Sequence, residues 1–269
     1  MDDQQGSAVL QIDTLTRFKV ALRDHVATVQ IAAPPVNAQD AAFREEIIRI
    51  FDVLGKASDV RAIVLCGEGR HFSAGADLSG RSEIQSMPGG YAAHNRLVRA
   101  AFDVVMDFPT PVIAAVHGAA IGAGAVLALV CDILVVADDA FMSMTEVDYG
   151  MAGGVRHFLR SFSPSDARLA IYTAKRISGA DLYRMNVASV CVSADQLAET
   201  AHGIARTIAD KHPLAIVAAK KSFNVTEEMG LREGYRYEQG QTAALSECED
   251  TQEALAAFRE KRRPKFTGR

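Results

Sequence analysis

No apolar run in the 269 residues is long enough to cross a bilayer. The opening stretch MDDQQGSAVL is acidic and polar where a secretory signal would be basic and then apolar, so residues 1–14 are expected to form a flexible leader. Cysteine is sparse: Cys66, Cys131, Cys191 and Cys248 lie far apart, with neither a close pair nor the spacing of a metal site. That excludes a disulfide scaffold and a zinc module. The cysteines read as reduced thiols of a cytoplasmic protein, and no metal is expected. Charge of one sign is lacking as well. Lys+Arg 29 against Asp+Glu 33 leaves a formal net charge of −4, which gives no field to gather nucleic acid or an anionic membrane. An anionic ligand must therefore find local cations.

What the sequence does contain is alternation. VATVQIAA reads as a strand ended by the Pro34-Pro35 pair, and after Asn37 the residues Phe43, Ile47, Ile50, Phe51 and Leu54 fall at helical spacing. RAIVLC is a second strand. It leads into the small-residue turn HFSAGADL, then a Gly-rich stretch around SMPGGY that is expected to be a mobile loop, then a helix holding Leu97, Ala101 and Val104. PVIAAV, the turn HGAAIGAG, the apolar helix AVLALVC and the strand DILVVA repeat the pattern, so an α/β core with parallel strand pairs is expected. Beyond Ser165 only ASVCV reads as a strand, and four long helical patterns follow it. These helices lack enough complete apolar faces for a core of their own. Residues 15–200 are therefore expected to form the core, and residues 201–269 a helical region that packs partly on neighbouring subunits.

Both small-residue turns follow a strand, and the second opens a helix. In parallel α/β sheets ligands gather at the carboxyl ends of strands, where helix N-termini offer unpaired N–H groups. Two such turns aimed at one oxygen would stabilise an oxyanion; the alternative is that the glycines and alanines only permit close packing. The segments APPVNA, HFSAGADL, AAVHGAAIGAGAVLALVCDI, EVDYG and EALAAFREKRRPKFTGR resemble, in that order, the signatures of the crotonase superfamily, the enoyl-CoA hydratases and isomerases. The resemblance runs from about residue 20 to the C-terminus. It implies a spiral of βαβ units with a C-terminal helical trimerisation region, assembled as a homotrimer or a dimer of trimers. It also implies an acyl-CoA substrate with no cofactor beyond the coenzyme A of the substrate itself. The enolate oxygen of the thioester would be held by the backbone N–H groups of Ala76 and Ala123, with Ala74, Gly75, Asp77, Leu78 and Gly122 shaping the two turns.

The resemblance also locates the acids. Hydratases of the superfamily place one glutamate three residues after the second oxyanion donor, and here that position is Val126. The second family glutamate is matched by Glu146 in TEVDYG. Hydration needs a water held and deprotonated while a proton reaches carbon, work for two carboxylates. Moving a double bond needs one base that takes a proton from one carbon and returns it to another. With a single acid retained, isomerisation is favoured over hydration. An ungapped count puts Gly154 where dienoyl-CoA isomerases have a further acid, and Arg156 and His157 where many relatives have glycines. His157 is thus a candidate to hold water in place of the missing acid, against the plainer reading of a helix-start histidine bonded to backbone or solvent.

Asp77 is expected to brace its turn, and His71 and His117 to bond backbone beside the turns. Asp148 is expected to be structural. Arg70 and Lys261 are the candidates for coenzyme A phosphates. Two other readings stand beside the isomerase or hydratase: a thioesterase or decarboxylase on the same scaffold, and a non-catalytic binding protein. Retention of Glu146 and the absence of a basic stripe with interleaved aromatics count against the second.

Overall fold

The computed structural model describes residue 12 and residues 14–269, so the expected leader lies almost wholly outside the described residues. The chain begins with β1 (Phe18–Arg23), β2 (Val26–Ile31), β3 (Ala38–Gln39), α1 (Ala41–Leu54), β4 (Ala62–Gly67), β5 (Gly75–Ala76), α2 (Arg81–Ser86) and α3 (Gly90–Met106). Next come β6 (Val112–Val116), β7 (Ala119–Ile121), α4 (Ala123–Leu129), β8 (Ile133–Ala137) and β9 (Phe141–Ser143), then a 3-10 turn (Glu146–Tyr149). The remainder is α5 (Val155–Ser161), α6 (Pro164–Thr173), β10 (Ile177–Ser178), α7 (Gly179–Arg184), β11 (Val190–Val192), α8 (Leu197–Ala209), α9 (Pro213–Thr226), α10 (Leu231–Leu245) and α11 (Glu249–Glu260).

Six strands form one sheet in the order β1-β2-β4-β6-β8-β11, with β1 antiparallel to β2 and the other pairs parallel. The central strands β4, β6 and β8 carry no polar side chain because both of their faces are covered; Ile63, Val64, Ile113, Ala114, Val135 and Val136 are all buried. On one face lies α8, whose buried Ala201, Ala205 and Ala209 recur every four residues and let the helix approach the strands closely.

Function depends on what happens past the carboxyl ends of these strands. After β2, β4, β6 and β8 the chain adds a second, short strand each time, and the short strands stack on one another. β3 pairs in parallel with β5, Ser73 bridges to Ala120, and β7 pairs in parallel with β9. Each βα repeat therefore lays its turn against that of the next, which is the spiral of βαβ units that the resemblance implied. The stretch around SMPGGY departs from the expected mobile loop. It is the short link between α2 and α3, turned by Gly89 at φ 71° and closed by the Gly90 N–H to the Met87 carbonyl. On α3 the deeply buried residues are Ala101, Phe102 and Val105, so the expected apolar face is shifted by one position at its end.

The C-terminal region is helical as expected, and a partly buried ion pair seats it. The Lys220 ammonium of α9 donates to Asp132 Oδ2 at 2.7 Å and to the Thr110 carbonyl at 3.2 Å, while the same carboxylate oxygen accepts from the Val112 N–H at 2.7 Å. Nearby, Asn224 Nδ2 donates to the Met106 carbonyl at 3.0 Å. Removing Asp132 leaves the buried Lys220 ammonium without its counter-charge. Asp132→Ala is therefore expected to lower the unfolding free energy in urea by about 3 kcal/mol. A loss below about 1 kcal/mol would show that the pair does not hold α9 to the sheet.

Candidate active site

The first turn is clamped from below by Asn37. Its Nδ2 donates to the carbonyls of Glu68 (3.0 Å) and His71 (2.8 Å), and its Oδ1 accepts from the Ala33 N–H at 3.0 Å. The Ser73 hydroxyl donates to the Asn37 carbonyl at 2.7 Å and accepts from the Gly75 N–H at 3.2 Å. The Asp77 N–H is committed to the Gln39 carbonyl of β3. Because successive amides of a strand point to opposite sides, the Ala76 N–H between them faces away from β3. Asp77 accepts from the Ser79 N–H at 2.8 Å, so it braces its turn, and Leu78 beyond it is exposed.

The second turn lies directly against the first. A methyl group placed on Gly75, whose φ is 90°, would run into the Ile121 carbonyl and stand 3.3 Å from the Ala123 nitrogen. Ala123 is the first residue of α4, so its N–H belongs to the unpaired first turn of that helix. Gly122, at φ 54° and ψ −117°, makes the sharp entry and donates its N–H to the Ser143 carbonyl at 2.8 Å. The carboxylate of Glu146 fills the space that a Gly122 side chain would occupy: an added methyl would meet Oε1 and lie 3.1 Å from Cδ. Glu146 Oε2 is buried and has no hydrogen-bond partner among the described residues. Burial pushes this carboxyl above the usual glutamate range, against the opposing pull of the Glu146 and Thr145 backbone amides.

One helical turn beyond Gly122, Val126 presents its side chain on the same face and is buried. A methyl on Gly154 would stand 3.2 Å from Val126 Cγ2 and run into the Met144 thioether. The surface beside the Glu146 carboxylate is thus apolar at both positions where further acids were sought. The Ala123 amide and the Glu146 carboxyl lie on either side of Gly122, beside the Gly75–Ala76 turn and next to an apolar wall.

The family model for enoyl-CoA hydratase/isomerase matches residues 22–269. The chain belongs to that family. It is an enzyme of the crotonase superfamily. A hydrolase of Mycobacterium tuberculosis acting on (7aS)-7a-methyl-1,5-dioxo-2,3,5,6,7,7a-hexahydro-1H-indene-carboxyl-CoA is 35% identical over 223 residues, covering 82% of this chain and 89% of that one. The carnitinyl-CoA dehydratase of Proteus mirabilis is 30% identical over 255 residues, covering 92% of this chain and 97% of that one. Among solved structures, an enoyl-CoA hydratase from Bacillus anthracis superposes with a TM-score of 0.87 at 30% identity, covering 94% of this chain and all of the other.

The remaining residues of this family member divide into those near the turns and those away from them. The Arg70 carbonyl abuts Gly118, so Arg70 sits where the two turns meet, with its side chain exposed. His71 Nδ1 accepts from the Ala119 N–H at 3.3 Å and His117 Nε2 lies 2.9 Å from the Gly69 carbonyl, so both serve backbone. Asp148 is exposed on the 3-10 turn. His157 is placed elsewhere. It packs edge-on against Phe102 of α3, with ring centroids 5.9 Å apart, in a cavity shared with Met106, Arg160 and Asn224. Glu146 does not line that cavity, so the geometry does not bring His157 to the missing acid's place; burial and the Arg160 charge push its pKa down. Lys261 ends α11 in the left-handed region and is exposed. The tail after it is held by Asp250 and by the Arg61 guanidinium, which donates to the Phe266 carbonyl at 2.9 Å. Arg61 stands at the amino end of β4, the end opposite the first turn, so it ties the last residues of the tail to that end of the sheet. The cysteines are free, and burial pushes the Cys66 thiol up to about 11, so it is no nucleophile at neutral pH.

The raised Glu146 pKa fixes the sign of a stability effect. Below the usual glutamate range folded and unfolded chains both carry the proton, and Glu146 costs nothing. As pH rises above that range, the unfolded chain releases its proton while the folded chain still holds it, and the penalty on folding grows until the folded-state pKa is passed. Glu146→Gln is therefore expected to gain melting temperature relative to the unsubstituted protein as pH is raised from 4 to 8. A gap that narrows over that range would contradict the burial argument.

Proposed function

We propose that the protein isomerises the double bond of an enoyl-CoA thioester through an enolate held by the Ala76 and Ala123 N–H groups. Glu146 is the single proton carrier. In this reading the thioester carbonyl enters where Gly75 and Ala123 meet, and charge grows on its oxygen only as a proton leaves the adjacent carbons. Preorganised backbone donors then favour the transition state over the bound substrate. Glu146 takes the proton from one carbon and returns it two carbons away. A carboxyl with a raised pKa suits both halves of that exchange, because it is a stronger base than a solvated glutamate and a usable acid once protonated. The reaction calls for no cofactor beyond the coenzyme A on the substrate.

The observation that carries isomerisation is the apolar wall of Val126, Met144 and Gly154 beside the one carboxyl. A water on that wall would have no side-chain acceptor apart from Glu146, whereas hydration needs a second group to hold it. Hydration is the second reading, favoured by the hydratase and dehydratase names of the relatives. Arg70 and Lys261 are proposed as cations for the coenzyme A phosphates. Leu231 at 89% and Phe258 at 84% exposure in the C-terminal helices support the proposed trimer, which would cover them.

Two variants separate the readings. Glu146→Gln is expected to cut turnover by about two to four orders of magnitude while acyl-CoA still binds. Val126→Glu, once shown to fold, is expected to raise the ratio of hydration to isomerisation on one chain length. Full turnover in the first variant would remove Glu146 as the proton carrier. An unchanged ratio in the second would remove the single-acid argument.

A further inference from the structure

Arg44 is a buried charge that the proposed reaction leaves unused. It is the fourth residue of α1, is 3% exposed, and its Nη2 is buried with no hydrogen-bond partner among the described residues. An arginine stays protonated in proteins, so its donors need acceptors wherever the fold buries them. The two acids whose charge acts on it, Asp40 and Asp77, are bonded elsewhere. Asp40 Oδ2 accepts from Arg17 Nε at 3.0 Å and Nη2 at 2.6 Å, and Asp40 Oδ1 accepts from the Phe43 N–H at 2.8 Å. Asp77 accepts from the Ser79 N–H, and among the described residues neither acid forms an ion pair with Arg44.

Its placement gives the orphan donor a direction. α1 springs from β3, whose Gln39 is the register partner of Ala76, and α1 packs along α3. The charge of Asp77, one residue beyond Ala76, acts on the Arg44 guanidinium, and Arg44 in turn acts on His94 of α3, which burial already pushes toward the neutral form. Arg44 thus stands between α1, α3 and the first oxyanion turn. For coenzyme A, the pantetheine arm next to the sulfur is uncharged and the phosphates lie at its far end. A negative charge within a few bonds of the thioester carbonyl therefore belongs to the acyl group.

We propose that Arg44 is the specificity residue for the acyl group, and that the substrate carries a carboxylate which Arg44 receives beside the first turn. The guanidinium's planar fork matches a carboxylate in a two-point contact, and the carboxylate supplies the acceptor that the fold withholds. The proposal rests on the acyl-CoA reading of the site and refines it. It also accounts for a cation where a fatty acyl chain alone would be met by apolar residues.

The test is calorimetric binding of saturated, unreactive acyl-CoA thioesters of four, six and eight carbons, each ending either in methyl or in carboxylate. The unsubstituted protein is expected to bind at least one carboxylate-ended chain about 10- to 100-fold more tightly than its methyl-ended counterpart, the range for a charge-assisted contact. Arg44→Met is expected to bring that ratio to about one, and Arg44→Lys, which keeps the charge without the fork, to an intermediate value. Equal binding of the two series by the unsubstituted protein would overturn the proposal without need of a variant. So would a preference that survives Arg44→Met. Binding of neither series would overturn the acyl-CoA reading, and this proposal with it.

Discussion

The site depends on one close contact of backbone with backbone, where Gly75 lies on Ile121 and Ala123 with no room for a side chain between them. Everything chemical follows from that approach. It brings a strand-end amide and a helix-start amide from two successive βα repeats beside each other, so that the fold holds both donors rather than flexible side chains. Gly122 extends the same logic. With no side chain there, the Glu146 carboxylate from the next repeat can lie against the entry of α4. The column of short strands, from β3 through β5 and β7 to β9, sets the order in which these pieces arrive.

Much of this was legible in the sequence because its signals are local. The long apolar strands and the helix with Phe43, Ile47 and Ile50 announce themselves by period, and the two small-residue turns by composition. Strands of two or three residues, such as β3, β5 and β10, have no period to read and exist only through their partners. β1 was legible in principle: FKVALR alternates, with Phe18 and Leu22 buried and Lys19 and Arg23 exposed. The link between α2 and α3 read as a loop because Pro88, Gly89 and Gly90 break helices, yet they break this one for only three residues. Burial of polar groups was the least legible property. Arg44 follows Phe43 on α1 and reads as the start of a solvated face, and only the packing of α3 and the first turn around it makes it a buried charge.

The same limit applies to His157. Its place in the sequence, eleven residues after Glu146, suggested the pocket, but distance along the chain does not fix direction. Phe102 and Asn224 draw the ring toward α3 and α9 instead. What remains beside Glu146 is apolar, and this is why the account turns on one carboxyl. A lone buried acid can shuttle a proton between two carbons of a bound dienolate. To add water it would also have to hold and deprotonate that water beside a wall of Val126 and Met144.

The most direct measurement of that claim is the fate of oxygen. A 3-enoyl-CoA thioester incubated with the protein in water enriched in oxygen-18, with products identified by mass spectrometry, separates the possible reactions in one experiment. The account predicts the 2-enoyl thioester as the main product with no oxygen-18 incorporated. Oxygen-18 on carbon 3 of a hydroxyacyl thioester, or in a released free acid, as the main outcome would contradict it.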